Sequence, residues 1–215
     1  MPKLRGLYVI TDERLGGGHL AIARAAIAGG ARILQLRDKT AGDAELLPLA
    51  REICKLALET GVLFILNDRL ELALQCGADG VHLGPGDLSI EKARRLAGQD
   101  FLIGASCGTI EEARAAENDG ANYIGAGAVF GTATKLDAGA AIGLERLRQI
   151  VAATALPVAA IGGISANNIA STIEQGARMA CVVSAVASAG TEEQMANAAR
   201  ELAAIVNEPE ASATG

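Results

Sequence analysis

Four times along the chain a Gly-Ala pair leads directly into a short apolar run, and this repeat restricts the fold more than any other feature. The pair occurs as Gly30-Ala31 before RILQLRDK, Gly77-Ala78 before DGVHLG, Gly120-Ala121 before NYIGAG and Gly176-Ala177 before RMACVVSA. Each copy follows an Ala/Glu/Arg-rich stretch with helical spacing, so the glycine suits a helix C-cap, where the backbone turns left-handed. Each copy precedes a run rich in Ile, Val and Leu, the pattern of a strand buried on both faces. Four further apolar runs, LRGLYVI, VLFIL, FLIGAS and PVAAIGG, alternate with these, and each is followed by another helical segment.

The expected order is therefore eight strands alternating with eight helices. Strict alternation demands a parallel sheet, and eight units in just over 200 residues favour closure into a (β/α)8 TIM barrel, a single α/β domain. The interval of roughly 45 to 55 residues per two units is the period of paired βα modules. An open doubly wound sheet is the competing arrangement. It is disfavoured because no GxGxxG follows the first run, and because polar residues gather after many strands rather than around one crevice. The barrel is expected over residues 1–207, with 208–215 (EPEASATG) as a flexible C-terminal tail.

Composition narrows the function classes. Half of the 215 residues are hydrophobic but only 2% are aromatic, so the core is expected to be built from Ala, Ile, Leu and Val. A net charge of −6 argues against a general nucleic-acid surface. No apolar window approaches a membrane span, and MPKLRGLYVITDER lacks a signal-peptide pattern, so a cytoplasmic protein is expected. Cys54, Cys76, Cys107 and Cys181 form no CxxC pair, and His19 and His82 are not spaced as partners, which disfavours a metal–thiolate site.

In a barrel of this kind the active site is built by the loops after the strands. After the second strand, Gln35, Arg37 and Lys39 share one face at about 6–7 Å spacing, which suits a diphosphate and a ring edge. Asn67-Asp68-Arg69 follows the third strand and Asp87 the fourth. Two carboxylates brought together there suit Mg²⁺, a cation of hard oxygen ligands, although each aspartate could instead cap the helix that follows it. Ser106 ends the fifth strand, and a loop with Thr132, Thr134, Lys135 and Asp137 follows the sixth. Gly162-Gly163 and Val183-Ser184 follow the seventh and eighth, where backbone amides commonly cradle a phosphate in this fold. No nucleophile–base pair is evident: His82 lies within the fourth strand, and Ser106 has no histidine partner in the sequence pattern.

Seven motifs then fall in a familiar order: Tyr8-x-Ile10-Thr11-Asp12, QLRDK, LNDR at 66–69, DGVHLG at 79–84, YIGAGAVFGTATK at 123–135, AIGGI at 160–164 and VVSA at 182–185. With these the chain, from about residue 4 to 205, resembles the thiamine-phosphate synthase family. The resemblance implies a Mg²⁺-dependent transferase acting on phosphorylated small molecules. It would join hydroxymethylpyrimidine diphosphate to a thiazole phosphate, or its carboxylated form, and release pyrophosphate. It implies that Gln35, Arg37, Lys39 and Asn67 hold the pyrimidine diphosphate, that Asp68 and Asp87 bind the metal, and that Ser106 and Lys135 contact the diphosphate. Thr132, Thr134 and the amides of Gly163, Val183 and Ser184 would hold the thiazole phosphate. Arg37, Lys39, Ser106 and Lys135 would carry the catalytic charge stabilisation. A homo-oligomer is compatible with the pattern. The chain departs from the family's usual residues at Pro85, Ala128, Gly131 and Cys107-Gly108-Thr109.

Two relatives of the fold compete. A thiazole tautomerase would lack the metal carboxylates and carry a His where Ala128 stands. A phosphate-binding lyase would need a carboxylate or Lys base that is not evident here. A binding protein that kept the pocket is the non-enzymatic alternative.

Overall fold

The computed structural model describes residues 4–131 and 140–207. Eight parallel strands close into a barrel in sequence order, β1-β2-β3-β4-β5-β6-β7-β8. They are β1 (Gly6–Ile10), β2 (Ile33–Leu36), β3 (Leu63–Asn67), β4 (Gly80–Leu83), β5 (Leu102–Cys107), β6 (Tyr123–Gly127), β7 (Val158–Ile161) and β8 (Met179–Val182). Closure is made by β8 pairing with β1, with Tyr8 opposite Cys181. All eight apolar runs thus become neighbouring strands, and the open-sheet alternative is excluded.

The helices on the outside are α1 (His19–Ala28), α2 (Asp43–Thr60), α3 (Leu70–Cys76), α4 (Ile90–Ala97), α5 (Ile110–Asn118), α6 (Gly143–Ala153), α7 (Ile169–Glu174), α8 (Ser184–Ala187) and α9 (Glu192–Val206). Among the described residues this is one more helix than the expected eight. The short α8 comes between β8 and the long closing helix, and four residues are too few to leave a helical period in the sequence. Of the repeat glycines, Gly77 is a left-handed C-cap. Gly30, Gly120 and Gly176 sit one residue beyond the cap, also at positive φ, so the local chemistry is as expected but the frame is offset by one.

Strand side chains alternate between two cores. Those facing outward pack with the helices in a large aliphatic cluster that includes Leu34, Leu66, Ile103, Ile124 and Ala160. Those facing inward fill the barrel: Tyr8, Ile10, Ile33, Ile65, Leu102, Tyr123, Ala159, Met179 and Cys181. The expectation of a purely aliphatic core fails at this point. Tyr8 and Tyr123 are the two largest fully buried side chains, and they meet inside the barrel with ring centroids 6.1 Å apart. Gly104 makes room for them. It is opposite His82 on β4 and Tyr123 on β6, and a Cβ there would overlap both rings. Among the described residues no helix is long and apolar enough to cross a membrane.

Candidate active site

A cavity of about 1100 Å³ opens at the C-terminal ends of the strands. Gln35, Arg37, Lys39, Asn67, Asp68, Asp87, Ser106, Gly163, Val183 and Ser184 are all among the residues that line it. Every expected site residue within the described range therefore faces one opening. Thr132, Thr134 and Lys135, with Asp137 of the same loop, lie outside the described residues, as does the 208–215 tail. Three positions that depart from the family's usual residues, Pro85, Ala128 and Gly131, also line the cavity.

The two aspartates come together because β3 and β4 pair with Asn67 opposite His82. The Asp68 amide then donates to the His82 carbonyl at 2.8 Å, which carries the strand pairing one residue further. Asp68 adopts φ 64, the only non-glycine residue at positive φ among those described, a conformation that Asp tolerates better than most residues. Neither aspartate caps a helix. The N-caps of α3 and α4 are Arg69 and Ser89, and Asp87 Oδ2 instead accepts from the Gly84 amide at 2.7 Å. Partial burial pushes the Asp68 carboxyl above its ordinary value, and the Asp87 carboxylate within hydrogen-bonding reach pushes it further. Lys39 Nζ, 3.6 Å from Asp68 Oδ2, opposes both. Two carboxylates held against each other and beside a lysine are an incomplete charge balance that a small divalent cation would complete.

The cations are positioned by residues that sequence reasoning left without a role. Asp12, wholly buried at the end of β1, accepts from the Arg14 amide at 3.0 Å and from its guanidinium at 2.9 and 2.7 Å. Those bonds hold the Asp12 carboxyl below its usual value despite burial. Arg37 Nη1 lies 3.5 Å from the same carboxylate, so one aspartate tethers two arginines that line the cavity. The next residue, Asp38, anchors the loop. Its Oδ1 accepts from the Thr40 and Ala41 amides, each at 2.8 Å, and its Oδ2 lies 3.2 Å from His19 Nε2. His19 Nδ1 in turn lies 2.7 Å from Thr11 Oγ1. Burial raises the Asp38 carboxyl, but the amides of Ala41 and Thr40, the Thr40 hydroxyl and His19 outweigh it, and the net direction is well down. Glu13, His19 and Asp38 have ligand atoms within 4.8 Å of one another, yet both His19 nitrogens are already engaged, which makes the group a brace for the Arg37–Lys39 segment.

One expectation is overturned. Ser106 does have a histidine partner: His82 Nε2 lies 3.0 Å from Ser106 Oγ, and His82 Nδ1 lies 3.1 Å from the Tyr123 hydroxyl. His82 points inward because Gly80, two residues before it, shares its face of β4, while Val81 and Leu83 face the helices. Gly125, opposite Ser106 on β6, leaves space for the imidazole. The signal was present as the alternation Gly80-x-His82 beside Gly104-x-Ser106. It is legible only when β4 and β5 are known to pair with His82 opposite Gly104.

Known proteins are similar to this chain in sequence and in shape. A family model described as thiamine monophosphate synthase matches residues 7–186, from within β1 into α8. A protein of Methanoregula boonei named thiamine-phosphate synthase is 54% identical over 182 residues, 84% of each chain. Another of that name from Methanocella arvoryzae is 48% identical over 204 residues, 94% of this chain and 95% of its own. The solved structure of a thiamine phosphate pyrophosphorylase from Pyrococcus furiosus aligns with a TM-score of 0.86 at 42% identity, covering 93% of this chain and 94% of that one. With the barrel, the strand-end residues and these relatives in agreement, the chain belongs to the thiamine monophosphate synthase family.

Proposed function

We propose that the chain joins hydroxymethylpyrimidine diphosphate to a thiazole phosphate, giving thiamine phosphate and pyrophosphate, or to its carboxylated form, in which case the carboxyl group also leaves as CO2. The observation that carries this reading is the facing pair Asp68 and Asp87 beside Lys39, in one cavity with Arg37 and the glycine-rich turn after β7. The donor set fits Mg²⁺: hard carboxylate oxygens whose mutual repulsion raises the Asp68 carboxyl. When bound, Mg²⁺ would neutralise charge on the departing pyrophosphate.

The chain's own residues supply the rest. Arg37, tethered by Asp12, and Lys39 offer fixed positive charge to the diphosphate, and Ser106 and Lys135 add donors to it. Gln35 and Asn67 hold the pyrimidine edge. Thr132 and Thr134, with the amides of Gly163, Val183 and Ser184, hold the thiazole phosphate, so that its ring nitrogen faces the pyrimidine methylene. Departure of pyrophosphate leaves a pyrimidine-methyl cation, and the thiazole nitrogen captures it with its lone pair. No proton has to be removed from that nitrogen, so the step calls for no general base. Holding two reactants in contact and stabilising leaving-group charge supply the rate. The Ser106–His82 pair is therefore not required as a nucleophile and base. The partners are phosphorylated small molecules, and a cytoplasmic setting and a homo-oligomer accord with this reading.

The tautomerase alternative asks for an imidazole at the position of Ala128, where the cavity wall carries only a methyl group. Incubation of the purified protein with both substrates tests the choice. Pyrophosphate release that needs Mg²⁺ and both substrates supports the synthase. Isomerisation of the thiazole alone, without the pyrimidine, would replace it with the tautomerase.

A further inference from the structure

Five side chains form a continuous row of hydrogen bonds across the floor of the cavity. Gln35 Nε2 donates to the Tyr8 hydroxyl at 2.7 Å. The Tyr8 and Tyr123 hydroxyls lie 2.9 Å apart, the Tyr123 hydroxyl lies 3.1 Å from His82 Nδ1, and His82 Nε2 lies 3.0 Å from Ser106 Oγ. All five residues line the cavity, and the two tyrosines and Gln35 are almost wholly buried.

We propose that this row is polarised in one direction, from Gln35 to Ser106, and that Tyr123 and His82 are positioning residues that keep the Ser106 O–H turned toward the departing diphosphate. The second half of this rests on the synthase reading above.

The direction follows from counting protons. Gln35 donates to Tyr8, so the Tyr8 oxygen is an acceptor and its own proton goes to Tyr123, the other partner in the row. Tyr123 accepts that proton and passes its own to His82 Nδ1. An imidazole that accepts at Nδ1 is neutral and carries its hydrogen on Nε2. His82 Nε2–H then donates to Ser106 Oγ, and the serine's own hydrogen is left to point into the cavity. Run the other way, the row would have Tyr8 accept from both Gln35 and Tyr123, with no acceptor in the row for its own proton. Burial pushes both phenols well above their ordinary values, so each keeps a hydrogen to donate at any working pH. Ser106 therefore acts as a donor to an anion, the opposite of a serine whose hydrogen is taken by a histidine to make a nucleophile.

The Tyr123 hydroxyl matters in this account even though it is placed to act through His82 and not on the substrate. Removing it leaves His82 Nδ1 without its donor in the row, and Ser106 becomes free to turn its hydrogen to the ring.

Imidazole nitrogen NMR on the intact ¹⁵N-labelled protein tests the direction without any ligand. The chain has two histidines, and loss of one set of signals in His82→Gln assigns the other. His82 is expected as the Nε2–H tautomer; an Nδ1–H or doubly protonated ring overturns the proposal. A double-mutant cycle on turnover with both substrates tests the consequence. Ser106→Ala and Tyr123→Phe should each lower kcat about tenfold, the scale of a hydrogen bond to a charged group, with the KM for the thiazole unchanged. The double variant should be no slower than Ser106→Ala. Losses that multiply overturn the positioning role. If Tyr123→Phe does not fold, Tyr8→Phe interrupts the row one link earlier and must show the same non-additivity. If the parent protein makes no thiamine phosphate, the synthase reading and the diphosphate role fail together, whereas the NMR result still decides the polarity.

Discussion

Replacing Asp68 with Asn should make the protein more stable and much less active, and the structure gives both signs. Asn keeps the size of the side chain and accepts the left-handed backbone at φ 64, so no conformational cost is expected. What is lost is the contact with Lys39 at 3.6 Å, a half-exposed ion pair worth about 0–1 kcal/mol. What is relieved is burial of a charge and its repulsion by Asp87, and the upward displacement of the Asp68 carboxyl shows that these outweigh the lysine. A net gain of roughly 0.5–2 kcal/mol is expected in metal-free buffer, the usual yield of removing one unfavourable site charge. For a chain of this size that is a rise of about 1–8 °C in Tm. The pH dependence has a definite sign. The folded carboxyl binds its proton more tightly than the unfolded one, so the parent loses stability as pH rises through the folded value, and this loss is absent below the unfolded value. The advantage of Asp68→Asn should therefore be largest at neutral pH and shrink on acidification. Adding Mg²⁺ should reverse the ranking: at a hundredfold excess over its Kd the parent gains about 2.7 kcal/mol, and the variant much less. Turnover should fall about 10²–10³-fold, the usual cost of losing a group that stabilises developing charge. Thermal unfolding with EDTA and with Mg²⁺, at several pH values, measures all of this. A variant less stable than the parent in EDTA, or one equally stabilised by Mg²⁺, would refute the reasoning.

Two other perturbations follow from the packing. Gly104→Ala puts a methyl group into the contact between Tyr123 and His82 and should cost about 1–3 kcal/mol together with turnover, read as a lower urea midpoint; an unchanged midpoint would mean the two rings do not meet across that glycine. Asp38→Ala should destabilise the protein at neutral pH. Because the folded Asp38 carboxyl is depressed, its contribution is present above the unfolded value and lost as pH falls through the folded one. The gap between parent and variant in urea denaturation should thus narrow below about pH 4, and a constant gap would show that the amides of Thr40 and Ala41 do not hold the charged form.

Much of the site's location was legible in the sequence because a parallel barrel converts sequence position into spatial position. The residue after each strand reaches the mouth, so Arg37, Lys39, Asp68, Asp87 and Ser106 could be gathered from the ends of the apolar runs. Local ambiguity defeated other readings. An aspartate before a helix is as compatible with a cap as with a ligand, and only the tertiary structure, with Arg69 and Ser89 at the N-caps of α3 and α4, removes the cap. The brace of Thr11, His19 and Asp38 joins three elements and has no sequence spacing of its own. Nothing in the sequence singles out Arg14, whose place is set by the buried Asp12 carboxylate that its guanidinium grips.

The sequence by itself determined the alternation of eight strands and helices, the end of the barrel that carries the chemistry, and the residue types delivered there. These are properties of period and order along one chain, and glycine and apolar spacing write them locally. Only the tertiary structure decided that Tyr8 meets Tyr123 and that His82 reaches Ser106. Those contacts depend on the stagger between neighbouring strands and on closure of β8 against β1. A one-residue slip in that register would turn each of these side chains from the cavity to the helices, and nothing within a single strand distinguishes the two.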